Sequence, residues 1–319
     1  MPPSTPRSLR LAGPGLAGLL LLGLGCADRE LHPFFLADAS HRRPFIFAHR
    51  GGGGSLGPEE ALPTLLQAQK NDPLAVVEFD LHRSRDGQLI VLHDDTVDRT
   101  TAGRGRVEDL SLAELQALDA GYCFRPGKGD GTAEGAECRA GDPADFPRRG
   151  KGDRIATLAE VLAALPLDAW VSIEVKTSGI ERQFADMARA SGRMSRMITG
   201  SEDDDVAVRL KDLLPELPQY LPRGAATCLA LASKLRLNDP DCPQYEAFAS
   251  PLEGAGLALD TRPVLDMAHA NGVVVIYWTI NEEPEMERLL RLGADGLFTD
   301  YPDIARKVVD RLRKEGALP

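Results

Sequence analysis

The chain has 319 residues, a formal net charge of −11 and an isoelectric point near 5.1. This acidic balance argues against a nucleic-acid-binding protein, because no basic stripe is available for phosphate backbones. It leaves a phosphate substrate open, since one metal ion and one arginine can supply local positive charge. With 43% hydrophobic residues, the chain can form the core of one large domain. Single α/β barrel domains commonly reach this chain length.

Residues 1–26 have the pattern of an export signal, with two arginines before a glycine-rich apolar stretch. That stretch is too short for a typical membrane-spanning helix. Small residues stand directly before Cys26, as at a bacterial lipoprotein cleavage site, although Gly23 occupies the place where leucine is usual. Two interpretations remain: Cys26 is lipidated and anchors the protein to a membrane, or ordinary signal cleavage occurs here. Both predict an exported protein of the periplasm or cell envelope.

A polar lead of residues 27–43 precedes a predicted single domain of residues 44–319. Its short apolar runs predict strands at Phe45–Ala48, Ala75–Leu81, Leu89–His93, Trp170–Val175, Arg196–Thr199, Gln219–Leu221, Val273–Thr279 and Gly296–Thr299. Helical periodicity predicts helices at Glu59–Lys70, Leu112–Leu118, Leu158–Ala164, Glu181–Ala190, Asp204–Leu214, Thr261–Asn271, Pro284–Leu292 and Ile304–Lys314. Eight strands that alternate with helices indicate an α/β fold, a TIM (β/α)8 barrel.

Residues 104–153 interrupt this alternation after the third predicted strand. The segment is rich in glycine, proline and charged residues, and it is too long for a plain barrel loop. It therefore predicts an insertion over the C-terminal face, where the loops of such barrels build the active site. A segment that contacts substrate and a purely solvated elaboration are both consistent with this composition.

Four further cysteines fall into two near pairs, Cys123 with Cys138 and Cys228 with Cys242. In the oxidising compartment of an exported protein these pairs predict two local disulfides, although four cysteines allow three connectivities. A zinc site is the weaker alternative, because there is no CxxC spacing and no nearby histidine.

Carboxylates end two of the predicted strands. Glu78 and Asp80 lie two residues apart and so share one face, and Glu174 and Lys176 repeat this spacing. Clustered carboxylate oxygens suit Mg²⁺ or Ca²⁺. The three carboxylates therefore form a candidate metal site, with Lys176 placed to meet a phosphate oxygen.

Two histidines also follow apolar strands. His49 and His93 are candidates for acid and base catalysis, and Arg50 offers a planar fork for a phosphate group. His82, two residues after Asp80, is interpreted as a supporting or solvated residue. Together these groups predict metal-assisted attack on a phosphate ester.

The motifs in this order resemble the glycerophosphodiester phosphodiesterase family over about residues 45–312. The residues that carry the resemblance are His49-Arg50-Gly51, Pro58-Glu59, Glu78-Phe79-Asp80, Asp86-Gly87, His93-Asp94, Arg99-Thr100-Thr101, Leu118-Asp119-Ala120-Gly121, Ile155-Ala156-Thr157-Leu158-Ala159-Glu160, Glu174-Val175-Lys176, Tyr277-Trp278-Thr279-Ile280-Asn281, Gly293-Ala294-Asp295-Gly296 and Thr299-Asp300-Tyr301-Pro302.

The resemblance implies a TIM barrel that uses a divalent metal to hydrolyse glycerophosphodiesters to an alcohol and sn-glycerol 3-phosphate. It implies acid/base roles for His49 and His93, phosphate binding by Arg50, and a substrate-lining position for Lys176 and Trp278. By the same resemblance Glu78, Asp80 and Glu174 are the metal carboxylates, and Glu59 is a site glutamate that supports other residues or is linked to the metal.

The chain departs from the family in one motif. Where the family usually has Pro-Glu-Asn-Thr, the sequence reads Pro58-Glu59-Glu60-Ala61. Glu59 is kept, but Glu60 adds negative charge near the expected metal.

Two alternative functions are considered. A related phospholipase D-type barrel would act on lysophospholipids or sphingomyelin, and the motif that contains Trp278 favours the glycerophosphodiesterase over it. A non-catalytic lipoprotein that binds a phosphorylated ligand would be expected to lack a metal carboxylate or a histidine, and all are present.

Overall fold

A computed structural model describes residues 30–38, 42–127, 135–237 and 241–318. The predicted signal of residues 1–26, with Cys26, lies outside these residues. No helix in the described ranges is long and apolar enough to cross a membrane.

The core of the fold is a closed ring of parallel strands. Its regular strands are β1 (Phe45–Ala48), β2 (Val76–Arg83), β5 (Trp170–Val175), β6 (Met197–Gly200), β7 (Ala247–Ser250), β10 (Val274–Tyr277) and β11 (Gly296–Thr299). Parallel pairing runs from β7 through β10, β11, β1, β2 and β5 to β6. Single parallel bridges at Gln219 and Tyr220 join β6 to β7 and complete an eight-membered barrel. The predicted TIM-type α/β barrel is confirmed.

The third predicted strand has a different role from the one expected. β3 (Leu89–Val91) pairs antiparallel with the end of β2 and with the short β4 (Ala156–Thr157), so its assignment to the parallel ring was wrong. Its place among the eight is taken by β7, which the sequence analysis missed. The sequence of β7, Ala-Phe-Ala-Ser, contains no β-branched residue, so it has little of the composition that marks a strand.

Helices surround the barrel, and several match their predicted bounds. They are α1 (Pro33–Leu36), α2 (Leu62–Asn71), α3 (Leu112–Gln116), α4 (Gly135–Ala140), α5 (Leu158–Ala164), α6 (Glu181–Ala190), α7 (Asp204–Leu213), α8 (Arg223–Leu235), α9 (Arg262–Ala270), α10 (Glu283–Leu292) and α11 (Pro302–Lys314). A small antiparallel hairpin, β8 (Glu253–Gly254) with β9 (Leu257–Ala258), lies between β7 and α9. Helix α8 was not predicted, because alanine, glycine and threonine weaken its apolar stripe.

Aromatic residues close the N-terminal end of the barrel. Phe34 and Phe35 of α1 are buried, with ring centroids 5.2 Å from Trp170 and 5.6 Å from Phe45, respectively. Both partners begin barrel strands, so α1 covers the end at which the strands start. The polar residues lie at the opposite mouth of the barrel, at the carboxyl ends of the strands.

The segment between β3 and β4 is held by a disulfide and by contacts with the first barrel loop. Cys123 bonds to Cys138, and a second disulfide joins Cys228 to Cys242, which confirms the predicted pairs. The backbone N–H of Gly127 donates to the carbonyl oxygen of Gly54 at 3.4 Å. This insertion therefore lies against the loop that follows β1.

We expect the α1 closure to contribute substantially to stability. Phe35→Ala should lower the free energy of unfolding by about 3–5 kcal/mol, because it leaves a cavity among aromatic rings. Leu36→Ala on the same helix is the matched control, since Leu36 is 54% exposed and Phe35 is fully buried. Urea denaturation measures both variants; equal effects would contradict the proposed closure.

Candidate active site

The acidic residues predicted to bind metal meet at the carboxyl ends of β2 and β5. Asp80 and Glu174 are partners in the parallel register of these strands, so they lie side by side on one face. Glu78 precedes Asp80 by two residues and shares that face. The ammonium of Lys176 lies 3.3 Å from Asp80 Oδ1 and 2.9 Å from Glu174 Oε2. The structure thus brings together the carboxylates and the lysine expected from the sequence.

Burial and mutual repulsion determine the ionisation of these groups. Burial and the charge of Asp80 raise the pKa of Glu78 well above its usual range. Burial alone would raise the pKa of Asp80 as well, but Lys176, His93, Arg50 and a hydrogen bond with Glu60 together outweigh it and lower that pKa. Burial opposes the charge of Lys176, yet the two carboxylates beside it raise its pKa. Asp80 and Lys176 are therefore both ionised, as an ion pair in which Asp80 is buried and Lys176 is partly exposed.

His49 begins a short turn after β1 and is oriented by the last barrel strand. Its Nδ1 lies 2.7 Å from Asp300 Oδ1, in a loop that follows β11. An ionised carboxylate only accepts hydrogen bonds, so Nδ1 is the donor and Nε2 points away from Asp300. Asn281 donates to Asp300 Oδ2 at 2.6 Å and holds the carboxylate in place. The sequence contained the motif of Asp300, but its contact with His49 could not be read from it.

A continuous chain of ion pairs orients His93 and also reaches Arg50. His93 Nδ1 lies 2.7 Å from Asp94, and Arg99 binds that same carboxylate through two nitrogens. Arg99 also contacts both oxygens of Glu59, at 2.6 and 2.7 Å. Glu59 in turn accepts from Arg50 at 3.0 Å. In this structure Glu59 therefore supports the two arginines, one of the two roles considered from the resemblance.

Arg50 lies at the opposite end of this chain of ion pairs from His93. Burial opposes its charge, but Glu59 and Asp80 raise the pKa of the guanidinium above its usual value. Its backbone N–H also donates to Glu78 Oε2 at 2.8 Å. Arg50 thus links the acidic cluster to the loop that carries His49.

Glu60 lies beside the same cluster, fully buried. Both of its carboxylate oxygens are 3.3 Å from the backbone nitrogen of Asp80, and the side chain is 3% exposed. Burial and the charges of Asp80 and Glu78 raise its pKa. The sequence predicted that Glu60 adds negative charge near the metal; its position beside Asp80 is as expected, but the raised pKa opposes that charge.

His82 is buried, not solvated. Its Nδ1 lies 2.9 Å from Thr177 Oγ1, and its Nε2 lies 3.0 Å from the carbonyl oxygen of His93. It connects the residue after Lys176 to the backbone of His93, so the supporting role is the one the structure favours.

The remaining predicted residues lie around this mouth of the barrel. Trp278 follows β10 at its carboxyl end and is 37% exposed. Gly51 has a φ of +80°, and a Cβ there would lie 2.8 Å from a methyl group of Leu65. Gly51 is therefore required for backbone shape and close packing with α2.

The donor chemistry of the acidic cluster fits a hard divalent cation. Asp80 Oδ2 is buried and accepts no hydrogen bond from the described residues. Such an oxygen is costly to bury unless a cation or a donor reaches it. Within the described ranges, no three histidine, cysteine or acidic side chains are grouped closely enough to hold a metal. The ammonium of Lys176 instead occupies the space between Asp80 and Glu174.

Comparison with known proteins agrees with this geometry. Residues 49–304 match the sequence profile of the glycerophosphoryl diester phosphodiesterase family. The chain belongs to this family. Membership confirms the resemblance inferred from the motifs, and with it an enzyme that hydrolyses phosphodiesters.

Similar proteins cover most of the chain. A glycerophosphodiester phosphodiesterase of Bacillus subtilis (strain 168) is 30% identical over 92% of this chain and 97% of its own length. One from Caldanaerobacter subterraneus is 27% identical over 86% and 100%. A solved Oleispira antarctica phosphodiesterase, in complex with the product sn-glycerol-3-phosphate, is 26% identical, covers 85% and 99% of the two chains, and has a TM-score of 0.61.

The pairing of His49 with Asp300 generates a direct test. In Asp300→Asn, the amide can turn its NH₂ toward Nδ1, which removes the acceptor and the tautomer it selects. We expect kcat for glycerophosphocholine to fall by about 100-fold or more, with little change in KM. Asp303→Asn, an exposed carboxylate three residues away, should retain its activity. Turnover by Asp300→Asn within twofold of the unmodified protein would contradict the assigned role.

Proposed function

We propose that this site hydrolyses glycerophosphodiesters to an alcohol and sn-glycerol 3-phosphate with the aid of a divalent cation, Mg²⁺ or Ca²⁺. The observation that carries the proposal is the convergence of two carboxylate-oriented histidines with buried carboxylates, Arg50 and Lys176 at one mouth of the barrel. The named activity of the relatives supports it, as does the product in the Oleispira antarctica structure.

The carboxylates that would hold the cation are those of Glu78, Asp80 and Glu174. A bound divalent cation stabilises charge on phosphoryl oxygens and lowers the pKa of an attacking hydroxyl. Lys176 is paired with two of these carboxylates and would turn toward the phosphate when the cation takes its place. Arg50, held by Glu59, offers a fixed guanidinium to the same phosphate.

The two histidines exchange protons with the reacting oxygens. His49 and His93 are each bonded through Nδ1 to an aspartate, which leaves Nε2 to take a proton from the nucleophile or give one to the leaving oxygen. We assign His49 as the base and His93 as the acid. The nucleophile is a water molecule or the glycerol hydroxyl of the substrate. In the second case a cyclic phosphate forms first and is then hydrolysed. Trp278 lines the approach to the site.

We also propose that the protein is exported to the periplasm or cell envelope, with Cys26 as the candidate lipid anchor. Support comes from the basic and apolar pattern of residues 1–26 and from the two disulfides, which form in oxidising compartments. Globomycin treatment of expressing cells tests the anchor, because blocked processing would leave the longer precursor.

The activity is tested by release of glycerol 3-phosphate from glycerophosphocholine. EDTA should abolish the release, and excess Mg²⁺ or Ca²⁺ should restore it. His49→Ala and His93→Ala should each lower kcat by about 100-fold or more, since each removes a proton-transfer group. His269→Ala, which alters an ion pair outside the site, is the matched control. Full activity in EDTA, or hydrolysis of lysophospholipid micelles alone, would overturn the proposal.

A further inference from the structure

Arg99 lies at the centre of the ion pairs that orient both His93 and Arg50. Its guanidinium binds Asp94, the partner of His93, and Glu59, the partner of Arg50. A shift of this one side chain would therefore move a proton-transfer group and a phosphate-binding group together. The position of Arg99 depends in turn on the backbone that carries it.

That backbone is a tight turn whose two ends belong to the core. The backbone N–H of Thr101 donates to the carbonyl oxygen of Val97 at 3.2 Å, and the hydroxyl of Thr101 donates to the same oxygen at 2.7 Å. Val97 and Thr101 are both fully buried. These contacts fix the ends of the turn, with Arg99 at its middle, and a different segment contacts the backbone on either side of Arg99.

The insertion between β3 and β4 supplies those contacts. Nη1 of Arg139, in α4, donates to the carbonyl oxygen of Asp98 at 3.0 Å. The backbone N–H of Cys123 donates to the carbonyl oxygen of Thr100 at 3.3 Å. The residues immediately before and after Arg99 are therefore both bonded to the insertion.

A disulfide joins the two parts of the insertion that make these contacts. Cys123 is bonded to Cys138, the residue directly before Arg139, and both cysteines are fully buried. The guanidinium of Arg149 lies over the ring of Tyr122, 4.0 Å from its centroid, and donates to the carbonyl oxygens of Tyr122 and Cys138, each at 3.0 Å. The backbone of Cys123 and the side chain of Arg139 are thus held as one unit against the turn.

We propose that Arg139, fixed in place by the neighbouring disulfide, is a positioning residue: it holds Arg99 where Arg99 orients His93 and Arg50. The insertion then acts on the reaction through the backbone of the turn, without touching the substrate. This role differs from the two that the sequence left open for the insertion, contact with the substrate and a solvated elaboration. The inference rests on the proposed function, because it concerns the same histidine and arginine.

Steady-state hydrolysis of glycerophosphocholine by the full chain supplies the first test. Arg139→Ala should lower kcat by about tenfold or more, because Arg99 and the groups that it orients lose their fixed positions. Arg106→Ala is the matched control, since Arg106 lies in the same insertion and its exposed side chain pairs with Glu108. Its kcat should stay within about twofold of that of the unmodified protein.

A double-mutant cycle separates positioning from a general structural effect. If Arg139 acts through Arg99, adding Arg139→Ala to Arg99→Ala should lower kcat by no more than about twofold further. A merely structural role would instead give losses that multiply, as expected for two independent sites. Tm measurements on each variant check folding, and the assays are run well below these temperatures.

Removal of the disulfide tests its part in the same mechanism. Cys123→Ser/Cys138→Ser should lower kcat by about fivefold or more, because Arg139 is no longer held against the turn. Cys228→Ser/Cys242→Ser, which removes the other disulfide, should stay within about twofold of the unmodified protein. Equal effects of the two disulfides on kcat would contradict the part assigned to Cys123 and Cys138.

NMR of protein labelled with ¹⁵N-histidine supplies a readout that needs no activity, since the chain has six histidines. In Arg139→Ala the imidazole signals of His93 should shift, because its contact with Asp94 loosens. Those of His49, which is bonded to Asp300, should not.

Multiplied losses in the double-mutant cycle, or unchanged kcat and unchanged His93 signals in a folded Arg139→Ala, would overturn the inference. Shifted His93 signals in Arg139→Ala, together with an unmodified protein that does not hydrolyse glycerophosphocholine, would overturn the proposed function and leave this inference standing.

Discussion

Repulsion among the closely spaced carboxylates at the ends of β2 and β5 is the constraint on which the site depends. Strand register places Asp80 beside Glu174, and Glu78 shares their face. Glu78 and Asp80 are buried, and charges interact strongly where water is excluded. Lys176 and Arg50 offset part of this repulsion and are thereby held where a phosphate group would meet them. The same arrangement that makes the cluster costly would provide the driving force for binding the proposed cation.

The two histidines reach similar hydrogen-bond geometry by different structural routes. His93 is bonded to its neighbour Asp94, so a local segment and Arg99 determine its orientation. His49 depends on Asp300, which is far away in sequence, so its orientation requires the β1–β11 pairing that closes the barrel. Damage to barrel closure should therefore affect His49 before it affects His93.

Much of this architecture is encoded in local patterns, and the failures have physical causes. The helices at Leu158–Ala164 and Glu181–Ala190 were predicted to the residue, because their apolar positions recur at helical spacing. β3 was assigned to the barrel because a buried antiparallel strand has the same apolar run as a parallel one. Within the site, strand ends predicted the carboxylates and histidines. The partners Asp300 and Arg99 depend on tertiary contacts that no periodicity encodes.

Because α1 closes one end of the barrel, the two ends of the molecule differ. The described chain starts at the end sealed by Phe34 and Phe35, while the acidic cluster, Arg50 and Trp278 occupy the opposite mouth. A tether that joins the protein ahead of residue 30 would therefore attach at the sealed end. With the proposed anchor at Cys26, the open mouth would face away from the attached end, toward the aqueous compartment in which water-soluble diesters are found.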